Sequence, residues 1–177
     1  MRRLMLLRHA KTETDAPSGR DQDRRLDERG LRDAAEMGGW ISRNPPFPDC
    51  VLVSPAVRTH QTWDVAWAAM KGLVPPPHVE RVEELYGAEP TQLLTSIRMA
   101  SVSDPKRLML VGHNPGMHEL ALALTGGGDA AARKALADNL PTSGLAVLDF
   151  ATHDWDDVAF RRGKLVLFVS PKLLKQA

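Results

Sequence analysis

Three short runs of uninterrupted apolar residues constrain the fold of this chain more than any other feature. They occupy residues 4–7, 51–53 and 108–111, and amphipathic segments of helical length separate them. Short runs without a polar residue are typical of strands that are covered on both faces, and such strands belong to parallel sheets packed between helices. We therefore predict that the three runs form the centre of a largely parallel β-sheet.

The segments between and after these runs carry helix signals. A cap residue or a proline opens most of them, and glycines close one of them. The predicted helices are the segment after Asp27, the segment that begins at Ser54-Pro55, residues 90–99, the segment from Asn114-Pro115 to the three glycines at 126–128, and residues 130–140. The alternation of strands and helices predicts an α/β sandwich.

Three further strands and one loop complete the expected fold. Strand patterns lie at residues 78–82, 145–150 and 165–169, of which the first is the weakest. No long helix separates the last two, so we expect them to pair antiparallel at one edge of the sheet. Residues 12–25 are polar and lack periodicity, which predicts a mobile loop.

Length, charge and cysteine content narrow the class of protein. A chain of 177 residues is expected to form one domain over residues 1–177, and its net charge of +1 favours neither a nucleic acid nor an anionic membrane as partner. The lone Cys50 cannot form an intrachain disulfide and fits a reducing compartment. No run approaches the ~20 apolar residues that span a bilayer. We expect a cytoplasmic protein without a membrane segment.

Polar side chains stand where each of the three central strands should end. Arg8 and His9 follow the first run, Ser54-Pro55 leads to Arg58 after the second, and His113 follows the third. Because the carboxyl ends of parallel strands meet at one edge of a sheet, these groups are expected to share a crevice. The three turns contain no acidic residue, so the clustered cations need a bound anion to offset their repulsion.

A phosphoryl group fits the expected crevice better than other ligands. Arginine binds phosphate through its fork of N–H groups, and a neutral imidazole can act as a nucleophile. Helix starts at Pro55 and Pro115 would add free backbone N–H groups, and a carboxylate has fewer oxygens to occupy so many donors. No glycine-rich P-loop is present, so the pattern does not indicate a nucleotide-binding loop. Two histidines also suggest a metal, but the other side chains of the crevice are arginines, which cannot bind a cation. We therefore predict no metal site.

Three segments resemble, in their order and spacing, the signatures of the histidine phosphatase superfamily: residues 6–12, 53–62 and 111–116. The finer resemblance is to SixA-type phosphohistidine phosphatases, at residues 21–30, 84–86, 140–142 and 163–168. Ala10 and Lys11 also resemble that branch, because the wider family has glycine and an acidic residue there. The resemblance implies a three-layer α/β/α sandwich of the phosphoglycerate mutase-like fold. The connections are too short to form a cap domain.

The resemblance also implies roles for four residues. His9 would be the nucleophile that carries the phosphoryl group between two half-reactions, while Arg8, Arg58 and His113 would hold the phosphoryl oxygens. It implies no metal and no organic cofactor. Phosphoryl transfer depends mainly on positioning and electrostatic stabilisation, so these roles agree with the cationic crevice.

Three other side chains have two interpretations each. Glu84 best matches the general acid that ester-cleaving relatives use, but the neighbouring Glu83 could exchange roles with it, or the carboxylate could simply be solvated. Thr142 either binds a phosphoryl oxygen as part of the substrate site or caps a turn. Lys11 either adds a cation at the rim of the pocket or is solvated.

The expected function is that of a phosphatase that acts through a covalent phosphohistidine on His9. Short connections imply an open pocket, which would admit a phosphate displayed on a protein, so the expected substrate is phosphohistidine of a phosphorelay protein. One alternative is a small-molecule phosphomonoesterase on the same scaffold, with Glu84 as its acid. Another is a non-catalytic module that binds phosphate. The sequence leaves the oligomeric state open.

Overall fold

The computed structural model describes residues 1–176, which form a central sheet with helices on both faces. The strands are β1 (Arg2–Arg8), β2 (Cys50–Val53), β3 (His78–Arg81), β4 (Arg107–Gly112), β5 (Thr125–Gly128), β6 (Leu145–Phe150) and β7 (Gly163–Val169). The α-helices are α1 (Glu28–Arg43), α2 (Val57–Met70), α3 (Pro90–Met99), α4 (Gly116–Leu124), α5 (Ala130–Asp138) and α6 (Pro171–Gln176).

The sheet has the strand order β3-β2-β4-β1-β6-β7-β5 and is mostly parallel. β1 pairs in parallel with β4, β4 with β2, and β2 with β3, whereas β6 runs antiparallel to both of its neighbours. The predicted sandwich is confirmed, and so is the antiparallel pairing of β6 with β7. The expectation that this pair lies at the edge is wrong, because β5 adds to β7 in parallel and forms the edge itself.

The strand β5 corrects the interpretation of the three glycines as a helix stop. These residues leave the helix α4 and pair with β7, and their lack of side chains allows a close approach. A Cβ atom on Gly126 would lie 1.9 Å from the carbonyl oxygen of Arg161, and one on Gly128 would lie 2.1 Å from that of Leu165. Gly128 also has a φ of +123°, a conformation that favours glycine.

Alternation along the central strands supplies two separate cores. Leu4 and Leu6 of β1 face the core that is covered by α3, α4 and α5, whereas Met5 and Leu7 face the core covered by α1, α2 and α6. Side chains alternate between the faces of a strand, so a strand buried on both faces needs apolar residues at every position. This requirement explains the uninterrupted apolar runs.

The helices begin close to their predicted starts. α1 begins after Asp27, whose carboxylate accepts a hydrogen bond from the amide of Gly30 at 2.8 Å. α2 begins at Val57, later than the predicted start at Pro55, because Ala56 keeps an extended backbone. α4 likewise begins at Gly116, after Pro115. Arg58 still falls in the first turn of α2, and so it keeps the position that the sequence predicts.

The connections that surround the sheet are short. Between β3 and β4 the chain forms one 3-10 turn, Glu83–Leu85, and the helix α3, and residues 1–176 contain no cap domain. Within the same residues, no helix is both long and apolar enough to cross a bilayer. No additional domain among these residues covers the edge of the sheet where β1, β2 and β4 end.

Candidate active site

The carboxyl ends of three neighbouring parallel strands meet at one edge of the sheet. In the register of the sheet, Arg8 at the end of β1 lies opposite Gly112 at the end of β4, and β2 ends on the other side of β4. His9 and His113, which follow β1 and β4, therefore come together with their ring centroids 5.5 Å apart. The pocket at this edge is lined by Arg8, His9, Lys11, Thr12, Thr14, Asp21, Arg24, Arg58, Tyr86, Gly87, His113, Asn114 and Thr142.

The hydrogen bond of the His9 ring determines which of its nitrogens carries the proton. Nδ1 lies 2.7 Å from the carbonyl oxygen of Ala10, and because a carbonyl oxygen can only accept, Nδ1 must donate. The other nitrogen, Nε2, then keeps its lone pair. The residue is 9% exposed, and burial, together with Arg8 and Arg58, lowers the pKa of its ring to about 4. At neutral pH, His9 is therefore an uncharged ring with a free lone pair on Nε2.

The ring of His113 is held by a residue of a different strand end. Its Nε2 lies 2.7 Å from the hydroxyl oxygen of Ser54, while its buried Nδ1 has no partner among the described residues. The edge of the Tyr86 ring packs against it at a centroid distance of 5.5 Å. Burial first, and then the charge of Arg58, lowers the pKa of His113 to about 3. This ring is also neutral, and it offers a nitrogen atom that no described residue uses.

The two arginines are held at their places by backbone carbonyls. Nη1 of Arg8 donates to the carbonyl oxygen of Leu140 at 3.2 Å, while its Nε is buried without a partner among residues 1–176. Arg58 is 7% exposed, and its Nη1 donates to the carbonyl oxygen of Asp21 at 2.8 Å. A buried donor without a partner indicates a site for a missing acceptor. Both guanidinium groups retain N–H groups for an anion.

Asp21 is a member of the site that the strand-end analysis missed. Its carboxylate accepts hydrogen bonds from the hydroxyl of Tyr86 at 2.6 Å, from Arg58 at 3.0 Å and from Arg24 at 3.1 Å. These bonds, of which the one from Tyr86 lowers the pKa most, hold the pKa of the carboxyl well below its usual range. Asp21 thus offsets part of the positive charge that the sequence analysis left to a bound ligand.

The loop at residues 12–25 supplies Asp21 and has more structure than the sequence suggests. It contains a 3-10 turn, Asp21–Asp23, and a β-bridge joins Thr12 to Leu26. Asp21 and Arg58 are 37 positions apart, so no local pattern connects them. The signal that could have found Asp21 was the similarity of residues 21–30 to the SixA type.

Of the remaining residues that the sequence suggested for the site, some line the pocket and one does not. Thr142 and Lys11 line the pocket, and Lys11 is also exposed to solvent. Glu84 does not: it lines a separate groove with Val82 and residues of α3. In the turn Glu83–Leu85 the buried side chain is Leu85, so both glutamates point away from the core, and Tyr86 is the next residue to reach the pocket. The geometry therefore provides no support for Glu84 as a general acid.

A turn after α5 closes the pocket beside β1. The amide of Ser143 donates to the carbonyl oxygen of His9 at 3.1 Å, and the amide of Arg8 donates to that of Gly144 at 3.0 Å. Ser143 has a φ of +61°, and its buried hydroxyl has no partner among the described residues. No group of three or more potential metal ligands from histidine, cysteine, aspartate and glutamate occurs in residues 1–176.

Comparison with known proteins identifies similar chains. Residues 4–100 match the family model of the histidine phosphatase superfamily (branch 1). An uncharacterized protein of Mycobacterium tuberculosis (strain H37Rv) is 38% identical over 169 residues, which cover 94% of this chain and 100% of that protein.

Two solved structures are similar over almost their whole length. The structure of a candidate phosphohistidine phosphatase SixA from Agrobacterium tumefaciens is 34% identical, with a TM-score of 0.78, and the match covers 96% of this chain and 98% of that one. A second candidate SixA, from Nakamurella multipartitia, is 28% identical with a TM-score of 0.81, and the match covers 96% of both chains.

Proposed function

This chain belongs to the histidine phosphatase superfamily and to its SixA type, and we propose that it hydrolyses phosphohistidine on a protein through a phosphoryl group carried by His9. Phosphatase activity follows from the family. We propose three further points: which residue is the nucleophile, which residues hold the phosphoryl group, and which substrate is hydrolysed. The observation that supports this proposal most strongly is the orientation of the His9 ring.

The His9 ring has the form that a nucleophile needs. Its Nδ1 donates to the carbonyl oxygen of Ala10, so Nε2 holds the lone pair that attacks phosphorus. The lowered pKa, about 4, keeps the ring unprotonated at neutral pH. In the first half-reaction Nε2 bonds to phosphorus and the leaving group departs. In the second, the oxygen of water bonds to phosphorus, the bond between phosphorus and Nε2 breaks with its electron pair returning to the ring, and inorganic phosphate leaves with the protons of the water.

Arg8 and Arg58 supply the positive charges of a phosphoryl cradle, and the neutral ring of His113 supplies a nitrogen beside them. The equatorial oxygens carry the negative charge of the transition state, and fixed donors stabilise it without having to reorganise. Arg58 donates to Asp21 through Nη1 and Nη2, and each of these nitrogens has a second N–H group. The buried Nε of Arg8 and Nδ1 of His113 are free of protein partners within the described residues, which supports their use by a ligand.

The shape of the pocket supports a protein-borne phosphoryl group. Within residues 1–176 no cap covers it, and Tyr86 and Lys11 at its rim are exposed. Glu84 lies in another groove, so the pocket lacks the glutamate that would protonate an alcohol leaving group. The imidazole of phosphohistidine departs more easily than an alkoxide and needs less of this help.

The test measures the turnover of two substrates by two forms of the enzyme. The wild type and the variant His9→Asn are assayed on a protein that carries phosphohistidine and on p-nitrophenyl phosphate. We expect the wild type to prefer phosphohistidine and to yield an acid-labile phosphoryl adduct on His9 by mass spectrometry after a rapid quench. His9→Asn keeps an amide that can donate to Ala10, but it should have no turnover and no adduct.

Three results would contradict the proposal. Turnover without an adduct on His9, at a rate equal to that of His9→Asn, would remove His9 as nucleophile. A strong preference for phosphate esters that collapses in the variant Glu84→Gln would instead support a phosphomonoesterase. Binding of substrate with no turnover at all would indicate a phosphate-binding module.

A further inference from the structure

Asp21 introduces a negative charge into a pocket that is otherwise cationic. Among the described residues that line the pocket, it is the single acidic one. Its side chain is 52% exposed, so it is accessible to a substrate although Tyr86, Arg24 and Arg58 all donate to it. An anionic side chain beside a phosphate site weakens the binding of phosphate unless the substrate also carries a positive charge.

The carboxylate of Asp21 has room for one more hydrogen bond. A carboxylate has about four acceptor positions on its two oxygens. Arg58 and Tyr86 both donate to Oδ2, whereas Arg24 alone donates to Oδ1. One acceptor position on Oδ1 is therefore available to a donor from the substrate.

Asp21 is unsuited to act as a general acid. Three hydrogen bonds hold its pKa well below the usual range, so it carries no proton to give to a leaving alkoxide at neutral pH. The same ionised state suits a leaving group that already carries its own proton. An imidazole that is protonated on its second nitrogen is such a group.

We infer that Asp21 binds the leaving group and selects one that carries its own proton and positive charge, as the phosphoimidazolium form of phosphohistidine does. This inference rests on the proposed function of His9. Nε2 of His9 forms a bond to phosphorus, the bond between phosphorus and the substrate ring breaks, and its electron pair stays on that ring nitrogen. The ring leaves as neutral imidazole, with its proton still on the other nitrogen, where Asp21 accepts the hydrogen bond.

The charges of the pocket complement those of this substrate at both ends. Arg8, Arg58 and Asp21 line the same pocket, so the two arginines can bind the phosphoryl oxygens while Asp21 binds the cationic ring. A phosphate ester has the negative end but lacks the positive one, so it gains nothing from Asp21. The carboxylate thus favours the P–N bond of phosphohistidine over the P–O bond of an ester.

A matched pair of variants tests this role. Asp21→Asn removes the charge while it keeps a carbonyl oxygen for Arg58 and Tyr86. Asp23→Asn makes the same change in the same 3-10 turn, at a carboxylate that accepts from Ser18 and does not line the pocket. The substrates are phosphoimidazole and p-nitrophenyl phosphate, whose leaving group departs without a proton.

We expect Asp21→Asn to lower kcat/KM for phosphoimidazole by about 10- to 100-fold, the usual effect of a hydrogen bond to a charged group. Its kcat/KM for p-nitrophenyl phosphate should change by less than about threefold, and inorganic phosphate should inhibit it at least as strongly as it inhibits the wild type. Asp23→Asn should match the wild type on both substrates. Asp21→Glu should recover part of the loss on phosphoimidazole.

The pH dependence gives a readout that a structural role would not produce. The titratable or charged groups around Asp21 are Arg24, Arg58 and Tyr86, with Lys11, Arg8, His9 and His113 across the pocket. The pKa of His9 is about 4 and that of His113 about 3, while the bond to Asp21 raises that of Tyr86. An imidazole ordinarily titrates at about 6.5, so the substrate ring loses its proton between pH 6 and pH 8. The Asp21 carboxylate raises the pKa of the bound ring, so in Asp21→Asn the bound ring loses its proton at a lower pH, and the loss in kcat should be larger at pH 8 than at pH 6.

The outcomes separate this inference from the proposed function. An equal loss on both substrates would mean that Asp21 only positions Arg58, and an unchanged kcat/KM for phosphoimidazole would remove Asp21 from the reaction. Either result overturns the inference while phosphohistidine turnover through His9 stands. If the wild type itself forms no adduct on His9, the proposed function fails first.

Discussion

The neutral, buried ring of His9 makes the stability of this protein sensitive to acid. Its pKa is about 4 in the folded chain, while an exposed histidine titrates at about 6.5. Between these two values the unfolded chain binds a proton that the folded chain does not, so the free energy of unfolding falls as the pH falls. At 1.36 kcal/mol per pKa unit, the full shift corresponds to about 3 kcal/mol, of which about 2.5 kcal/mol is lost by pH 4.5.

The variant His9→Asn isolates this contribution. The asparagine amide can still donate to the carbonyl oxygen of Ala10, but it has no titration near neutral pH. Urea unfolding of both proteins at pH 7.5 and pH 4.5 should show that the wild type loses about 2.5 kcal/mol more than the variant. An NMR titration of the His9 ring gives the pKa directly.

A specific result would refute this reasoning. If both proteins lose the same stability between the two pH values, and the ring titrates near 6.5, then burial does not keep His9 neutral. The nucleophile would then be about one quarter protonated at pH 7, and the physical basis for its reactivity would have to lie elsewhere.

Further predictions concern the packing of α1, the role of Glu84 and the turn at Ser143. Gly38→Ala places a Cβ atom 2.2 Å from the carbonyl oxygen of Ala66, so it should lower the free energy of unfolding in urea by about 1–3 kcal/mol. The neighbouring Gly39→Ala meets only a flexible arginine side chain and should raise that free energy by about 0.5–1 kcal/mol; the opposite order would show that α1 and α2 do not pack as described. Glu84→Gln should leave kcat/KM within about twofold for both phosphohistidine and p-nitrophenyl phosphate, since it lines another groove. Ser143→Gly should raise the thermal midpoint by relieving a φ of +61° without losing a hydrogen bond, for a gain of about 1 kcal/mol; a lower midpoint would mean that the hydroxyl has a partner.

Features that depend on neighbouring residues could be predicted from the sequence. The apolar run at residues 4–7 lies within β1, and the cap Asp27 precedes α1. The strand ends also placed His9 and His113 in one crevice, because parallel strands align their carboxyl ends whatever the loops between them do. The sequence pattern was sufficient here because the sheet itself sets the geometry.

Features that depend on distant partners could not be predicted in this way. The glycines of β5 resemble a helix stop until β7, more than 30 positions later, offers them a pairing edge. Glu84 and Tyr86 are two positions apart, and only the packing of Leu85 decides that the tyrosine reaches the pocket. A local pattern contains no information about which side of a turn becomes buried.

The sequence by itself determined which chemical groups stand at the ends of the central strands, because those groups follow short apolar runs that their alternation with amphipathic segments identifies as buried strands. The tertiary structure decided how these groups act. It directed Nδ1 of His9 to the carbonyl oxygen of Ala10, which leaves Nε2 its lone pair, and it brought Asp21 from a polar loop to Arg58. The physical reason is that protonation states and charge pairing depend on the distances between side chains. Folding sets these distances between residues that are dozens of positions apart in the sequence.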